Sequence, residues 1–221
     1  YILCKEEEMM GINTLDDFNK VDEIYQNLLI GNLIKKGVKI INPRTVRVSY
    51  DTQIGKNSTI EPFVFIKNGV KIKNHVVVKS HSVLESSIIN KGSSIGPFAR
   101  LRPGSVIGER VKIGNFVEIK NSKIGNKCTI SHLSYIGDSQ LGKNINIGAG
   151  TITCNYDGKK KNKTKILDGA FIGSNTALVA PIRIGKNSVV GAGSTLTKDV
   201  KNKSLSLTRA NQIEIKNYKR K

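Results

Sequence analysis

Tryptophan is absent from the 221 residues, and aromatic residues of all kinds make up only 5% of them. Glycine is frequent by contrast, with 21 residues. A core without large rings has to be built from aliphatic side chains, and many glycines indicate a backbone that turns often. This combination disfavours an ordinary helical bundle.

Cysteine is also scarce. Cys4, Cys128 and Cys154 are far apart and form no C-x-x-C pair, so the sequence indicates neither a disulfide framework nor a zinc site. No apolar run approaches the ~20 residues of a membrane-spanning helix, and no signal-peptide pattern opens the chain. We therefore expect a cytoplasmic protein with no membrane partner.

Acidic residues are outnumbered: 17 Asp and Glu face 36 Lys and Arg, which gives a formal net charge of +19. A basic surface attracts polyanions, so a non-enzymatic nucleic-acid-binding protein is one alternative. However, the lysines are spread along the chain, and only residues 198–221 are densely basic. A small molecule rich in phosphate would account for local basic residues equally well.

The N-terminal part divides into two segments. Residues 1–12 begin with Tyr rather than Met, and we interpret them as the remnant of a preceding domain of a longer protein. Residues 13–53 are predicted to form a linker helix and a lead-in segment, because apolar residues recur there at helical spacing after the cap-type pair Asn13-Thr14. Gly37 is expected to end the helix.

From residue 54 the apolar pattern changes its period. An aliphatic residue recurs at every sixth position: Ile54, Ile60, Ile66, Ile72, Val78 and Leu84. This spacing is typical of hexapeptide β-helices, in which three hexapeptides form one coil of a three-sided prism. Stacked coils then share one continuous core. The sequence predicts a mainly β fold, a left-handed parallel β-helix over residues 54–200, followed by a basic tail over residues 201–221.

The register can be followed through eight coils, from Ile54/Ile60/Ile66 to Ile184/Val190/Leu196, whose three sides we number first, second and third. Three steps are shorter by one residue: Leu84 to Ile89, Ile119 to Ile124, and Ile136 to Leu141. All three fall between the third side and the first, which supports the assignment. A Lys-rich insertion, from Cys154 to Lys165, leaves the prism at the same junction.

Residues at equivalent places in successive coils should stack about 4.7–4.9 Å apart. Arg102 and Lys120 each follow a third-side core residue and therefore form a stacked pair. Two such charges about 5 Å apart repel by roughly 3 kcal/mol at an effective dielectric constant of ~20. An anion between them would remove this cost, although two solvated surface charges are an alternative interpretation.

His132 is the candidate general base. It lies two residues after Ile130 on the second side, where we also expect the stacked residues Glu118 and Tyr135. A histidine among polar groups at a prism edge is well placed to accept a proton.

The column above His132 contains only small residues, Ala149, Ser174 and Ala192. Three coils of small side chains would leave a gutter about 15 Å long that leads toward Arg209 and the basic tail. A long thin ligand with an anionic head would fit it. Small residues are also normal in hexapeptide repeats, so the two interpretations carry equal weight.

Several motifs allow a family resemblance to be stated. They are GPFARLRPG (Gly96–Gly104), GNFVEIK (Gly114–Lys120), HLSYIGD (His132–Asp138), NIGAGTITCNYDG (Asn146–Gly158) and IGSNTALVAP (Ile172–Pro181). Over residues 10–210 the chain resembles the acetyltransferase part of the bacterial bifunctional glucosamine-1-phosphate N-acetyltransferases/N-acetylglucosamine-1-phosphate uridylyltransferases. The resemblance implies acetyl transfer from acetyl-CoA to glucosamine 1-phosphate, a step in the synthesis of UDP-N-acetylglucosamine.

The resemblance also implies residue roles and a homotrimer with active sites between subunits. It assigns His132 as the base, with Glu118 orienting it. The residues implied for the sugar phosphate are Arg102, Lys120, Tyr135, Asn146 and Lys161. Those implied for acetyl-CoA are Ala149, Asn155, Tyr156, Ser174, Ala192 and Arg209. We expect Asn146 on a different side from His132 and therefore in a neighbouring subunit's site.

The uridylyltransferase half of such enzymes should precede Tyr1. Asn13 matches a residue of its magnesium and UDP-sugar site, which this chain alone is not expected to complete. Mg²⁺ is therefore expected only for the missing half, and the chain itself is expected to make no UDP-sugar.

Rival functions can be separated by sequence features. An acyltransferase acting on serine or another amino sugar would not need the Arg102/Lys120 pair. A β-helical carbonic anhydrase needs neighbouring zinc-ligating histidines, yet His132 is about three coils from His75 and His81. A nucleic-acid-binding surface would need aromatic residues interleaved with the basic ones.

Overall fold

The N-terminal helix caps one end of the molecule. The computed structural model describes Leu3 and residues 6–219, so Cys4 and the last two residues of the basic tail lie outside the described part. A short 3₁₀ helix, Glu6–Met9, precedes helix α1, Leu15–Lys35. Thr14 and Asp17 form a capping box at the start of α1, which lowers the pKa of the Asp17 carboxyl through the Thr14 side chain and nearby backbone N–H groups. The predicted helix is confirmed.

The rest of the chain forms three parallel sheets, which we number by the sides predicted above. Sheet 1 contains, in order, β3 (Gln53–Ile54), β6 (Lys71–Ile72), β9 (Ser87–Ile89), β12 (Ser105–Ile107), β15 (Lys123–Ile124), β18 (Ser139–Leu141), β21 (Thr164–Ile166) and β24 (Ile182–Ile184). Sheet 2 contains β1 (Lys39–Ile40), β4 (Thr59–Ile60), β7 (Val77–Val78), β10 (Ser94–Ile95), β13 (Lys112–Asn115), β16 (Thr129–His132), β19 (Asn146–Ile147), β22 (Phe171–Ile172), β25 (Val189–Val190) and β27 (Leu205–Ser206). Sheet 3 contains β2 (Arg47–Val48), β5 (Phe65–Ile66), β8 (Val83–Leu84), β11 (Arg100–Leu101), β14 (Glu118–Lys120), β17 (Tyr135–Gly137), β20 (Ile152–Cys154), β23 (Ala177–Val179) and β26 (Thr195–Leu196).

The strands pair in the predicted register. Ile113 pairs with Ile130 in sheet 2, Leu101 with Ile119 in sheet 3, and Ile107 with Ile124 in sheet 1. The inward residues of the central coils are completely buried, as an aliphatic core shared between coils requires. The predicted fold, a left-handed parallel β-helix of hexapeptide repeats, is confirmed.

The ends of the prism differ from the expected bounds of 54 and 200. Strands β1 and β2 already belong to sheets 2 and 3, and β27 pairs with β25 beyond residue 200. The six-residue period misses the first coil because a 3₁₀ helix, Pro43–Thr45, separates Ile40 from Val48. The exposed edge of that coil is covered by α1, whose Gln26 carboxamide both donates to the Val48 carbonyl and accepts from its N–H, at 2.9 and 3.0 Å.

The short steps are explained by the turns between sheets 3 and 1. In each of them a single residue in the left-handed region makes the corner: Ser86, Asn121 or Asp138, with φ of 39°, 45° and 48°. A buried serine follows each corner residue; Ser87 and Ser139 begin the next strand, and Ser122 directly precedes it. The insertion leaves after Cys154 and returns at Thr164, so it comprises residues 155–163.

An exposed ladder of aromatic rings runs along the edge between sheets 2 and 3. Phe63, His81, Phe98 and Phe116 stack with ring centroids 4.8–5.3 Å apart. Because the ring faces cover one another, they leave little face for a nucleobase to stack on. None of the helices in the described ranges has the length and apolarity needed to cross a bilayer.

Two glycines provide a test of the packing. A Cβ added at Gly114 would lie 1.9 Å from the backbone oxygen of Ser131 in the next coil, whereas one at Gly31, within α1, meets nothing within 4 Å. Gly114→Ala is expected to lower the melting temperature by forcing two coils apart. Gly31→Ala should raise the stability by about 1 kcal/mol through helix propensity. Circular dichroism melts of both variants would measure this, and equal melting temperatures would contradict the coil spacing.

Candidate active site

Sheet 3 presents a two-dimensional array of polar side chains. The residues on either side of an inward residue point outward from the same sheet, so Glu118 and Lys120 flank the buried Ile119. Glu118 pairs with Tyr135 one coil later. The expectation that Glu118 and Tyr135 lie on the second side is therefore wrong: they share the third side with Arg102 and Lys120.

The Arg102 guanidinium is paired within the chain. Its Nη1 donates to Glu118 Oε1 at 2.8 Å, and Arg100 Nη1 lies 3.9 Å from the other carboxylate oxygen. The hydrogen bond to Glu118 raises the pKa of Arg102, so it remains a cation at any working pH. Arg102 is thus oriented and partly neutralised by Glu118.

A cluster of cations forms at the outer end of this array. The insertion brings the Lys161 ammonium beside Lys120, and this neighbour, ahead of partial burial and Arg102, lowers the pKa of Lys120. The stacked pair predicted from the sequence therefore becomes a three-cation cluster of Arg102, Lys120 and Lys161, with Glu118 as one counterion. Such a cluster favours a bound dianion, because the anion relieves the repulsion.

The Tyr135 side chain occupies the space that a side chain at Gly137 would fill. A Cβ added at Gly137 would be 2.4 Å from the Tyr135 hydroxyl and 2.9 Å from Asn155 Nδ2. Gly137 follows Lys120 in the same outward column. The absence of a side chain there lets the phenol reach toward the root of the insertion.

His132 lies at the edge between sheets 2 and 3, at the end of β16. Its Nδ1 is 2.6 Å from Oδ1 of Asn115, the residue directly opposite it one coil earlier. An amide oxygen only accepts, so Nδ1 carries the proton and Nε2 keeps its lone pair for a substrate proton. The orienting group in the structure is Asn115 and not Glu118, whose carboxylate is engaged by Arg102.

The small-residue column is present above His132. The residue after each member bonds to the member one coil earlier: Gly150 N–H donates to the His132 carbonyl and Asn175 N–H to that of Ala149, at 3.4 and 2.7 Å. Ser174 and Ala192 complete the column. At its far end Arg209 Nη1 donates to the Ala192 carbonyl at 3.2 Å, so the predicted cation does lie at the end of the gutter.

Asn146 is not where the sequence argument placed it. It belongs to β19, which pairs with β16, so it shares sheet 2 with His132. The two side chains are nevertheless separated by three positions along the strand direction, about 10 Å. The expectation that Asn146 and His132 lie on different sides is wrong. Asn146 directly precedes an inward residue and His132 is the second residue after one, and both of these positions belong to the same sheet.

The remaining expected residues lie away from the gutter. Asn155 is buried, and its Nδ2 donates to Asp138 at the edge between sheets 3 and 1. Tyr156 is exposed in the insertion, and its hydroxyl donates to the Gly158 carbonyl at 2.7 Å. Asn13 is exposed near the start of α1, where its N–H donates to Asp17 at 3.3 Å.

Sequence reasoning missed Asn115 and Asp138. The register contains a signal for Asn115, since it is the residue stacked directly below His132. Asp138 is the last residue of the HLSYIGD motif, and no spacing in the sequence indicates a role for it. Of the described residues, no three His, Cys, Asp or Glu side chains are grouped so as to hold a metal ion, and His81 is stacked between Phe63 and Phe98.

Two protein-family models match parts of the chain. The profile of the bacterial transferase hexapeptide (six repeats) matches residues 163–198, and that of the GMPPB C-terminal domain matches residues 34–115. Two solved structures share the fold: LpxA, a UDP-N-acetylglucosamine acyltransferase from Bacteroides fragilis, and LpxA from Acinetobacter baumannii. The first has a TM-score of 0.55 at 20% identity and the second 0.54 at 18%; they match 71% and 73% of this chain and 67% of their own.

Curated relatives identify the family. The bifunctional protein GlmU of Zymomonas mobilis is 48% identical over 93% of this chain and 46% of its own length. That of Thermosipho africanus is 46% identical over 96% of this chain and 51% of its own. The chain belongs to the GlmU family and spans about half the length of the curated relatives it matches.

The cation cluster can be tested without a substrate. Because the Lys161 ammonium lowers the pKa of Lys120, Lys161→Met should raise the pKa of Lys120 toward its ordinary value. Titration of the Lys120 side-chain resonances by NMR would measure the change. Lys163→Met, on the same insertion, is the matched control. An unchanged Lys120 titration in Lys161→Met would contradict the proximity of the two ammonium groups.

Proposed function

We propose that this chain transfers an acetyl group from acetyl-CoA to the amine of glucosamine 1-phosphate. The observation that carries the proposal is the cation cluster on sheet 3, the sheet that borders the edge where His132 lies. The phosphate would bind Arg102, Lys120 and Lys161, which places the sugar over Tyr135. The product, N-acetylglucosamine 1-phosphate, would serve the synthesis of UDP-N-acetylglucosamine. Membership of the GlmU family supports this choice of substrates.

The reaction would be a direct attack. Nε2 of His132 takes a proton from the sugar ammonium, and the free amine attacks the thioester carbonyl of acetyl-CoA. A backbone N–H in the turn at Ala149 would stabilise the oxyanion. The tetrahedral intermediate collapses as its C–S bond breaks, and the second proton that the nitrogen loses passes to the departing CoA thiolate. CoA itself would lie in the small-residue column, with Arg209 near its far end.

We further infer a cytoplasmic homotrimer with active sites between subunits. Within one chain, Asn146 lies about 10 Å from His132 along the strand direction, too far for both to touch one amino group. An Asn146 from a second copy would meet the sugar if the sheet-2 face of one subunit packed beside the His132 edge of another.

Substrate choice tests the proposal. The chain would be given acetyl-CoA with glucosamine 1-phosphate, glucosamine 6-phosphate or glucosamine, and thiol release would be followed. Fastest release with glucosamine 1-phosphate is expected. Equal rates with all three, or rapid release with serine, would favour another acyltransferase of the hexapeptide class.

His132 and Asn115 are expected to act on kcat. His132→Ala should reduce kcat at least ~100-fold with KM nearly unchanged, because the base is lost. Asn115→Asp places a carboxylate against Nδ1 and stabilises the imidazolium. The acid limb of its pH–rate profile should therefore move to higher pH, while Asn115→Ala should show no such move. Near-normal turnover by His132→Ala would remove His132 from the mechanism.

Arg102 is expected to act on KM. Arg102→Ala removes a phosphate ligand and leaves the Glu118 carboxylate with only the more distant Arg100 as a cationic partner, so KM for glucosamine 1-phosphate should rise at least ~10-fold. The matched control is Arg100→Ala, on the same sheet but 3.9 Å from Glu118 and more exposed. Steady-state kinetics would measure both. Equal KM values for the two variants would contradict a phosphate site at Arg102.

A further inference from the structure

Asp138 is a buried carboxylate to which the reaction above gives no role. It makes the corner between sheets 3 and 1 and is 9% exposed. Its Oδ1 accepts from Nδ2 of Asn121 and its Oδ2 from Nδ2 of Asn155. In the described part of the chain, no Lys or Arg forms a salt bridge with it. A buried carboxylate is costly to desolvate even when two amides bond it, so its presence at this corner calls for a structural reason.

The position of Asp138 links the two parts of the cation cluster. Its N–H donates to the Lys120 carbonyl at 3.0 Å, and its own carbonyl accepts from Thr164 N–H at 3.4 Å. Thr164 is the first residue after the insertion, and Asn155 is the first residue within it. Asp138 therefore contacts both ends of the insertion and the strand of Lys120.

The insertion is a folded loop whose base depends on Asn155. The Asn155 carbonyl accepts from Asn162 N–H at 2.7 Å, next to Lys161. At the tip, Asp157 accepts from the N–H groups of Lys159 and Lys160, which lowers the pKa of Asp157 to about 2. A shift of Asn155 would thus move Lys161 with the rest of the loop.

A carboxylate is the group that this corner requires. Two amide NH₂ groups point at it, one at each oxygen, and only an acceptor with two equivalent oxygens satisfies both. An asparagine there would turn its own NH₂ toward one of the donors. One of the two tethers would then be lost or its partner amide would have to reverse.

We propose that Asp138 is a positioning residue for phosphate binding. By tethering Asn155 and the returning end of the insertion, it holds Lys161 against Lys120. The identity of the phosphate ligand rests on the proposed function, whereas the tether itself does not.

The tether is tested first, without substrate. Asp138→Asn should speed trypsin cleavage at Lys159, Lys160, Lys161 and Lys163 at least about fivefold, because cleavage follows the population of the released loop. Asn155→Ala removes the same tether from the other side and should act alike, which keeps the test open if Asp138→Asn does not fold. Asp51→Asn is the matched control: Asp51 also bonds a corner, accepting from Gly69 N–H at 2.7 Å, near the start of the prism.

The kinetics then test positioning. In Asp138→Asn, KM for glucosamine 1-phosphate should rise roughly tenfold with kcat within about threefold, since His132 lies at another edge. Unchanged loop cleavage in both tether variants would overturn the proposal. So would a released loop with an unchanged KM. If the unaltered chain transfers no acetyl group, the proposed function fails, and loop cleavage still decides whether Asp138 is the tether.

Discussion

The hydrogen-bonded stacking of one coil on the next determines which side chains of this protein are neighbours. Adjacent strands lie about 4.8 Å apart, so every outward residue meets its equivalent in the next coil. This one constraint sets Asn115 beneath His132 and Glu118 beneath Tyr135. The aliphatic residues that fill the core thereby also fix the arrangement of the polar groups outside it.

Stacking like charges has an electrostatic cost, and the Glu118 carboxylate offsets part of it. Glu118 neutralises Arg102, but Lys120 and Lys161 remain side by side, and the pKa of Lys120 is lowered as a result. A dianion that reaches both ammonium groups removes this repulsion, so the site favours such a ligand electrostatically. The insertion that supplies Lys161 is not part of the repeat and has to be held by specific bonds.

Periodic features could be predicted from the sequence, and non-periodic ones could not. The register of the core was predictable because its isoleucines recur at fixed steps, and the short steps marked one corner. The first coil was not, because a 3₁₀ helix breaks the period between Ile40 and Val48. The pairing of Glu118 with Arg102 depends on side-chain rotamers, which no repeat records. The bonds that shape residues 155–163 are local to that loop.

A crystal structure with bound glucosamine 1-phosphate would test the central claim most directly, namely that coil stacking and the insertion together build a phosphate site. The phosphate is expected to contact Arg102, Lys120 and Lys161, and the amine to point toward His132. A phosphate bound at Arg209 instead, or a sugar remote from sheet 3, would contradict it.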